Sequence, residues 1–308
     1  MKIAALAGGV GAARLLSGLV AVMPQEDLTV IVNTGDDFRW LDLLVCPDID
    51  TIIYTLAGIV NPETGWGVNG DTFHCLERLS ALGLDPWFRI GDRDLATHVH
   101  RSHLLARGHT LTEVTDIISR RNAIRASILP MTDSPVPTIV DTDEGTLEFQ
   151  DYFVGRKCAP RVRAITFRDV ADSLPAPGVE AALGEADVIL ICPSNPFISI
   201  GPIIAVPGMR RAILDSKALV AAVSPIIDGK AVKGPTATML SQLGHDVSAI
   251  GVARLYADML DVFLIDESDM ELAPQVRAMG IETHVSRILM DSAGARESLA
   301  GALLRLIT

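Results

Sequence analysis

The sequence predicts an α/β fold: a Rossmann-like parallel sheet with helices on both faces, carrying an inserted helical and β-rich subdomain. Three observations predict it. The chain begins with an apolar run, residues 3–6, that passes directly into Ala7-Gly8-Gly9-Val10-Gly11-Ala12-Ala13-Arg14 and a helical pattern. Short apolar runs recur at 28–32, 188–191, 219–223, 247–252, 262–265 and 284–289, several of them closing on polar turn residues. Runs of this kind, separated by helices, mark strands covered on both faces of a parallel sheet. Between them, residues from about 61 to 186 show helical periodicity and then strand-like alternation, as an insertion would. The expected division is one compact unit over 1–308, with a nucleotide-binding core of about 1–60 plus 187–308 and an insertion of about 61–186.

The opening unit reads strand, glycine turn, helix, strand, acidic turn. The helix pattern runs from about 13 to 22, with Leu15, Leu16, Leu19 and Val22 on one face. Glycines without Cβ permit a tight turn and close approach of backbone to phosphate, and a helix N-terminus above a sheet attracts anions. The dinucleotide fingerprint G-x-G-x-x-G needs a third glycine where this chain has Gly9-Val10-Gly11-Ala12-Ala13-Arg14. An arginine there reaches a phosphate rather than packing a helix on a strand. A plain strand-to-helix turn accounts for the glycines alone, but not for what ends the second strand. There, Asn33-Thr34-Gly35-Asp36-Asp37 sets two carboxylates after a buried run, which is costly unless they are paired, solvated or metal-bound.

Composition narrows the partners. In 308 residues, 26 Lys and Arg stand against 38 Asp and Glu, a net charge of −12. That disfavours broad nucleic-acid or anionic-membrane binding. An acidic protein that takes an anionic substrate needs a divalent cation or a few focused arginines, and Asp36, Asp37, Arg14, Arg89 and Arg93 offer both. Cys46, Cys75, Cys158 and Cys192 form no C-x-x-C pair and suit neither a zinc site nor a disulfide framework. Met1-Lys2 leads straight into a strand, and no run of about 18 apolar residues occurs. A reduced, cytoplasmic protein without signal peptide or membrane span is the expectation.

Further along, Ile49, Ile52, Ile53, Leu56 and Ile59 have helical spacing behind Asp48 and Asp50. Either aspartate caps that helix, or the two join Asp36 and Asp37 in an acidic ligand cluster. Residues 61–71 form a glycine-rich loop in which Trp66 either covers a flat ligand or pins the loop to the core. A helix over about 72–82 comes next. Trp87-Phe88-Arg89-Ile90-Gly91-Asp92-Arg93-Asp94 then leads into a helix over about 94–106, with Asp92 and Asp94 as caps and Arg89 and Arg93 free for phosphate or ring contacts. His98, His100 and His103 do not share a helical face well, which disfavours a metal role. Thr110 and Glu113 make a capping box for the next helix. Arg101, Arg107, Arg120, Arg121 and Arg125 read as a charged solvent face rather than a nucleic-acid surface. Residues 128–138 read as a proline-punctuated loop, followed by strand-like stretches at 137–140, 146–152 and 164–167 and a helix or turn at 176–186. Ser194, Asn195 and Ser199 follow a C-terminal strand run, where crevice residues lie in such folds.

Taken together, these residues resemble the 2-phospho-L-lactate transferase family of coenzyme F-420 biosynthesis. The matching stretches are Gly8-Gly9-Val10-Gly11 with Arg14, Asn33-Thr34-Gly35-Asp36-Asp37, Pro47-Asp48-Ile49-Asp50-Thr51, Gly65-Trp66-Gly67 and Asp71-Thr72-Phe73. Gly91-Asp92-Arg93-Asp94 with Ala96-Thr97-His98, Leu129-Pro130-Met131-Thr132-Asp133, Pro193-Ser194-Asn195-Pro196, Ser199-Ile200-Gly201-Pro202-Ile203, Val223-Ser224-Pro225-Ile226-Ile227 and Gly234-Pro235 extend them through the chain. Ala12-Ala13 departs from the pattern, since many members have a further glycine there.

The resemblance implies a Mg²⁺-dependent transfer. A guanosine-diphosphate-linked organic acid (2-phospholactyl, phosphoenolpyruvyl or phosphoglyceryl) would be the donor, 8-hydroxy-5-deazariboflavin the acceptor, and GMP the leaving product. It implies Asp36 and Asp37 as metal ligands, with Arg14, Gly9 and Gly11 on phosphate. Asp50 and Arg89 would contact the deazaflavin, Trp66 would cover it, and Asn195 and Ser199 would touch the guanosine side. Thr51, Asp92, Arg93, Thr97 and Ser194 complete the expected substrate-binding set. Two rivals are weaker. A sugar-nucleotide-binding regulatory paralogue would carry Asp-Asp-Gly-Gly-Ser-Ser where Phe38-Arg39-Trp40 follows Asp37. A nicotinamide dehydrogenase would not place Arg14 in the fingerprint. A homodimer is expected, with Val114, Ile117 and Ile118 as a possible self-association surface.

Overall fold

The computed structural model describes every residue except Pro86 and Thr308. Strand β1 (Ile3–Ala7) is buried along its whole length, and Gly8 alone separates it from α1 (Gly9–Val22). Its side chains alternate between two cores, as strand geometry requires. Ile3, Ala5 and Ala7 enter one apolar cluster, Ala4 and Leu6 the other. Strand β2 (Leu28–Val32) pairs with β1 in parallel. A hairpin of β3 (Phe38–Trp40) and β4 (Leu43–Val45) leads into α2 (Pro47–Leu56).

Three helices follow: α3 (His74–Ala81), α4 (Asp92–Ala106) and α5 (Leu111–Arg121). The Thr110–Glu113 capping box forms at the start of α5 as expected. Strand β5 (Ser127–Pro130) then returns to the main sheet beside β2. A separate antiparallel sheet is built from β6 (Thr138–Thr142), β7 (Gly145–Glu148) and β8 (Val162–Phe167), with β6 in the middle.

The α/β alternation resumes with α6 (Val179–Glu185), β9 (Val188–Ile191), α7 (Gly201–Ala205), α8 (Met209–Asp215) and β10 (Leu219–Val223). A two-residue ladder, β11 (Ile226–Ile227) with β12 (Lys230–Ala231), precedes α9 (Thr236–Gln242) and α10 (Ala249–Tyr256). Strand β13 (Val262–Ile265), α11 (Ala273–Arg277), β14 (Glu282–Val285) and α12 (Ala293–Leu306) complete the chain.

The main sheet is seven-stranded, in the order β14-β13-β10-β9-β1-β2-β5, and every pairing in it is parallel. From β1 the chain winds outward to β2 and β5, and from β9 it winds the other way. The winding therefore reverses between β1 and β9. In open α/β sheets the ligand crevice lies outside the strand C-termini at such a switch point. Helix α12 packs against α1, and a Cβ on Gly18 would lie 2.3 Å from the Arg296 carbonyl oxygen, so only glycine fits that crossing.

Several expectations change. Residues 128–130, placed in a loop inside the insertion, belong to an edge strand of the main sheet, Ser127–Pro130. The sheet therefore draws on the 61–186 segment as well as on both ends of the chain. Pro130 is tolerated because β5 is an edge, where a missing N–H breaks no further ladder. The run 247–252 opens helix α10, with Ser248 accepting from the Gly251 N–H. A short, fully buried apolar run does not distinguish strand from helix. Strand β14 begins at Glu282 and ends at Val285, so the run 284–289 lies mostly beyond it. Tyr152 sits in a π-helical turn (Asp151–Gly155) rather than in a strand. Val22 is exposed at the end of α1, and Ile59 lies outside α2. Arg101 is fully buried, in contrast to the exposed Arg107, Arg120, Arg121 and Arg125. Val114 and Ile118 are buried in the main core, which leaves them no surface with which to self-associate. No single helix among the described residues is long and apolar enough to cross a membrane.

Candidate active site

A cavity of about 400 Å³ opens at the C-terminal ends of β1 and β9, at the switch point. One wall is the glycine turn. Gly9 has φ +72°, a left-handed conformation that side chains resist. Gly11 fits against the opposite strand turn, where a Cβ would lie 2.4 Å from the Pro193 carbonyl oxygen. Ser194 Oγ donates to the Gly8 carbonyl at 2.8 Å and so locks the two turns together. Asn195 accepts from the N–H groups of Phe197 and Ile198 and starts the π-helical turn (Pro196–Ile200) that carries Ser199. Arg14, one turn into α1, reaches the cavity.

The acidic wall is built differently from the expected pair. Asp36 lines the cavity, but Asp37 does not. Asp37 lies beside the Cys46 thiol and near Arg101, with its Oδ1 lacking any hydrogen bond. The carboxylate that faces Asp36 is Asp48. Asp48 Oδ1 accepts the Gly9 N–H at 2.7 Å, so it caps α1 across the cleft rather than its own helix α2. Asn33 holds the pair: its Nδ2 donates to Asp48 Oδ2 at 2.9 Å and to Asp36 Oδ1 at 3.2 Å. Burial pushes the Asp36 carboxyl well above the carboxylate range, and repulsion from Asp48 and then Asp37 adds to it. Burial also raises Asp48, to about 6, with the hydrogen bonds from Asn33 and Gly9 opposing the rise.

A second acidic set lines the same cavity. Asp50 receives both terminal nitrogens of Arg101, Nη1 at 3.0 Å and Nη2 closer still. His98 Nδ1 is 3.2 Å from Arg101 Nη1, and its Nε2 is 3.3 Å from Asp94 Oδ1. Tyr54 donates its hydroxyl to the same Asp94 oxygen at 2.8 Å. The ligand atoms of Asp50, Asp94 and His98 all lie within 4.8 Å of one another, close enough to share a metal ion. His98, disfavoured by its spacing to His100 and His103, thus enters the site through tertiary neighbours.

Aromatic rings form the mouth. Trp66, half exposed, and the buried Thr51 both line the cavity. Trp87 and Phe88 pack with Phe38 at ring separations of 4.7 to 5.8 Å. Arg89 lies over the Phe73 ring at 4.2 Å, and its own residue lines the cavity. Phe149 and Phe153, which also line the cavity, stack at 5.3 Å; only Phe149 fell within the strand-like stretch expected at 146–152.

Three expected binding residues stand away from the cavity. Asp92 accepts from the N–H groups of His74 and Cys75 at 3.0 and 2.9 Å, capping α3. These contacts, led by the bond from Thr72, hold its carboxyl below the usual range. Asp71 accepts from the Arg93 and Asp94 N–H groups at 2.8 and 3.0 Å, capping α4. The Asp92–Asp94 stretch therefore belongs to a reciprocal capping joint. Arg93 directs its guanidinium to the Asn69 carbonyl, and Thr97 hydrogen-bonds Tyr54.

The model of the 2-phospho-L-lactate transferase CofD family matches residues 3–300. The chain belongs to that family. It is 41% identical to a phosphoenolpyruvate transferase of Streptomyces coelicolor, over 99% of this chain and 98% of that one. It is also 41% identical to a 2-phospho-L-lactate transferase of Methanosarcina mazei, over 95% and 96% of the two chains. A crystal structure of a UPF0052-family protein from Bacillus halodurans superposes with a TM-score of 0.64 over 98% of both chains, at 16% identity, and is a likeness of fold. In this transferase family member, Gly9, Gly11, Arg14, Asp36, Asp50, Thr51, Trp66, Arg89, Ser194, Asn195 and Ser199 meet around one cavity. Asp37, Asp92, Arg93 and Thr97 lie outside its lining.

Proposed function

We propose that the protein transfers an organic-acid phosphoryl group from a guanosine-diphosphate-linked donor to the terminal ribityl hydroxyl of 8-hydroxy-5-deazariboflavin, releasing GMP in coenzyme F-420 biosynthesis. The observation that carries this reading is the pairing of a glycine turn and Arg14 with the buried carboxylates Asp36 and Asp48 across one aromatic-lipped cavity. The acceptor hydroxyl oxygen forms a bond to the distal phosphorus as the bond from that phosphorus to the GMP phosphate oxygen breaks; GMP leaves with the bonding electron pair, and the hydroxyl proton passes to solvent. Such in-line transfer rests on positioning and charge stabilisation.

This chain's residues divide the work. The N–H groups at the start of α1 and the Arg14 guanidinium hold the diphosphate, whose anionic oxygens they favour. Asp50, fixed by Arg101, and Arg89 orient the deazaflavin, and Trp66 covers it. Asn195 and Ser199 face the guanosine side.

The donor set fits Mg²⁺. Asp36 and Asp48 offer hard carboxylate oxygens, and their mutual repulsion is the kind that a divalent cation relieves. The Asp50, Asp94 and His98 set fits less well, because it includes an imidazole nitrogen and Asp50 is already held by Arg101. When bound, Mg²⁺ would neutralise charge on the phosphate oxygens.

The donor acid is a 2-phospholactyl, phosphoenolpyruvyl or phosphoglyceryl group; the phosphoenolpyruvate transferase and the 2-phospho-L-lactate transferase named above are each 41% identical to this chain. Mass spectrometry of the product from deazariboflavin with each donor tests the reading and names the acid. No transfer from any guanosine-linked donor would sink it.

A further inference from the structure

The acidic chain carries an uncompensated cluster of positive charge at one side of the cavity mouth. Several exposed arginines on the protein sit against carboxylates, as in Arg120 with Asp116, Arg168 with Glu148 and Arg287 with Asp291. Arg14 and Lys233 both line the cavity, and among the described residues neither has a carboxylate partner. Burial, and then the nearby Arg14 charge, disfavours the Arg296 guanidinium, and its buried Nε has no hydrogen bond. Partial desolvation and the nearby Arg14 hold the Lys233 ammonium below its ordinary range. Arg14 thus repels both Lys233 and Arg296, and an anion arriving beside them would relieve that repulsion.

Lys233 also makes a contact that joins two loops. It follows β12 in the turn before α9, and its Nζ donates to the Thr64 carbonyl, far away in sequence. Thr64 precedes Gly65 and Trp66. Gly65 has φ +77°, and a Cβ there would lie 2.6 Å from Val10 Cγ1 and 3.6 Å from Lys233 Nζ. The loop that carries Trp66 therefore rests directly on the phosphate turn, with the lysine at the seam. An ammonium has three donors, and the Thr64 carbonyl takes one.

We infer that Lys233 is a donor-binding residue that clasps the nucleotide diphosphate together with Arg14 and, through Thr64, fastens the Trp66 loop over it, so that donor binding completes the acceptor site. The inference rests on the functional reading above and adds to it an order: the guanosine nucleotide first, the deazaflavin second. A lysine that only pinned two loops would have no effect on the affinity for a bare anion.

The test titrates guanosine diphosphate and inorganic pyrophosphate by calorimetry into the full-length wild type, Lys233→Gln and Lys233→Arg. Lys233→Gln is expected to weaken both anions roughly tenfold, and Lys233→Arg to recover most of that loss. Saturating guanosine diphosphate is expected to tighten deazariboflavin binding in the wild type and not in Lys233→Gln. Wild-type affinity for both anions in Lys233→Gln overturns the inference, as does a nucleotide-induced tightening that survives the substitution. Failure of the wild type itself to bind either anion would instead overturn the functional reading beneath it.

Discussion

Arg101 grips Asp50 with both terminal nitrogens of its guanidinium, and both side chains are almost completely buried. The pair ties α4 to α2. Arg101 is also the cation nearest to a crowd of buried acids, since its charge bears on Asp37 and on the Cys46 thiol. The floor of the cavity therefore depends on a residue contributed from outside the main sheet.

Arg101→Met is expected to destabilise the protein by about 3–5 kcal/mol, because it leaves Asp50 buried without its partner. Urea unfolding measures this. Combining Arg101→Met with Asp50→Asn is expected to lower stability by less than the sum of the two single changes. An additive double variant would show that the ion pair does not couple the two helices.

Asp36→Asn is expected to abolish Mg²⁺-dependent turnover and the thermal stabilisation that Mg²⁺ gives. The pH dependence has a definite sign. Asp36 and Asp48 are raised above ordinary carboxylates, Asp48 to about 6, so in the acidic range the folded state holds more protons than the unfolded chain. Their contribution to stability then declines as pH rises from the unfolded carboxylate value of about 4 through the folded values. Without metal, Asp36→Asn is therefore expected to melt above the wild type near neutral pH and to converge with it in acid. Scanning calorimetry with and without EDTA reads both effects, and a lower melting point for the metal-free variant at neutral pH would contradict them.

Arg14→Ala and Arg89→Ala are expected to separate the two substrates. Removing Arg14 should weaken guanosine diphosphate by roughly 1.5–3 kcal/mol, the range for a hydrogen bond to a charged group, with little change for deazariboflavin. Removing Arg89 should do the reverse. Parallel losses for both ligands in either variant, measured by calorimetry, would refute this division of the cavity.

Asp71→Ala is expected to cost about 1 kcal/mol and to loosen the start of α4, while Asp92→Ala loosens α3. Hydrogen exchange at the backbone amides of His74, Cys75, Arg93 and Asp94 reports the two effects separately. A faster Arg93 amide in Asp92→Ala, with Asp71 unchanged, would mean that the caps are not exchanged between the helices.

The sequence by itself determined the parallel sheet, the glycine turn at the first strand and the placing of Ser194, Asn195 and Ser199 on the facing turn. These follow from short-range rules: buried strands are continuous apolar runs, phosphate turns need glycine, and crevice residues follow strand C-termini. Only the tertiary structure decided which charges face which. Asp37 follows Asp36 directly yet turns toward Cys46, while Asp48, eleven positions further on, meets both Asp36 and the first amide of α1. Asp92 caps the helix before its own, and Arg101, which follows the exposed Val99 and His100 on α4, is buried against Asp50. The edge strand Ser127–Pro130 was hidden for a related reason, since a four-residue run containing proline becomes a strand only when β2 offers it an edge. The physical reason is common to all of these. A charged or ambiguous residue takes its role from the groups that distant segments bring against it, and sequence spacing carries no record of them.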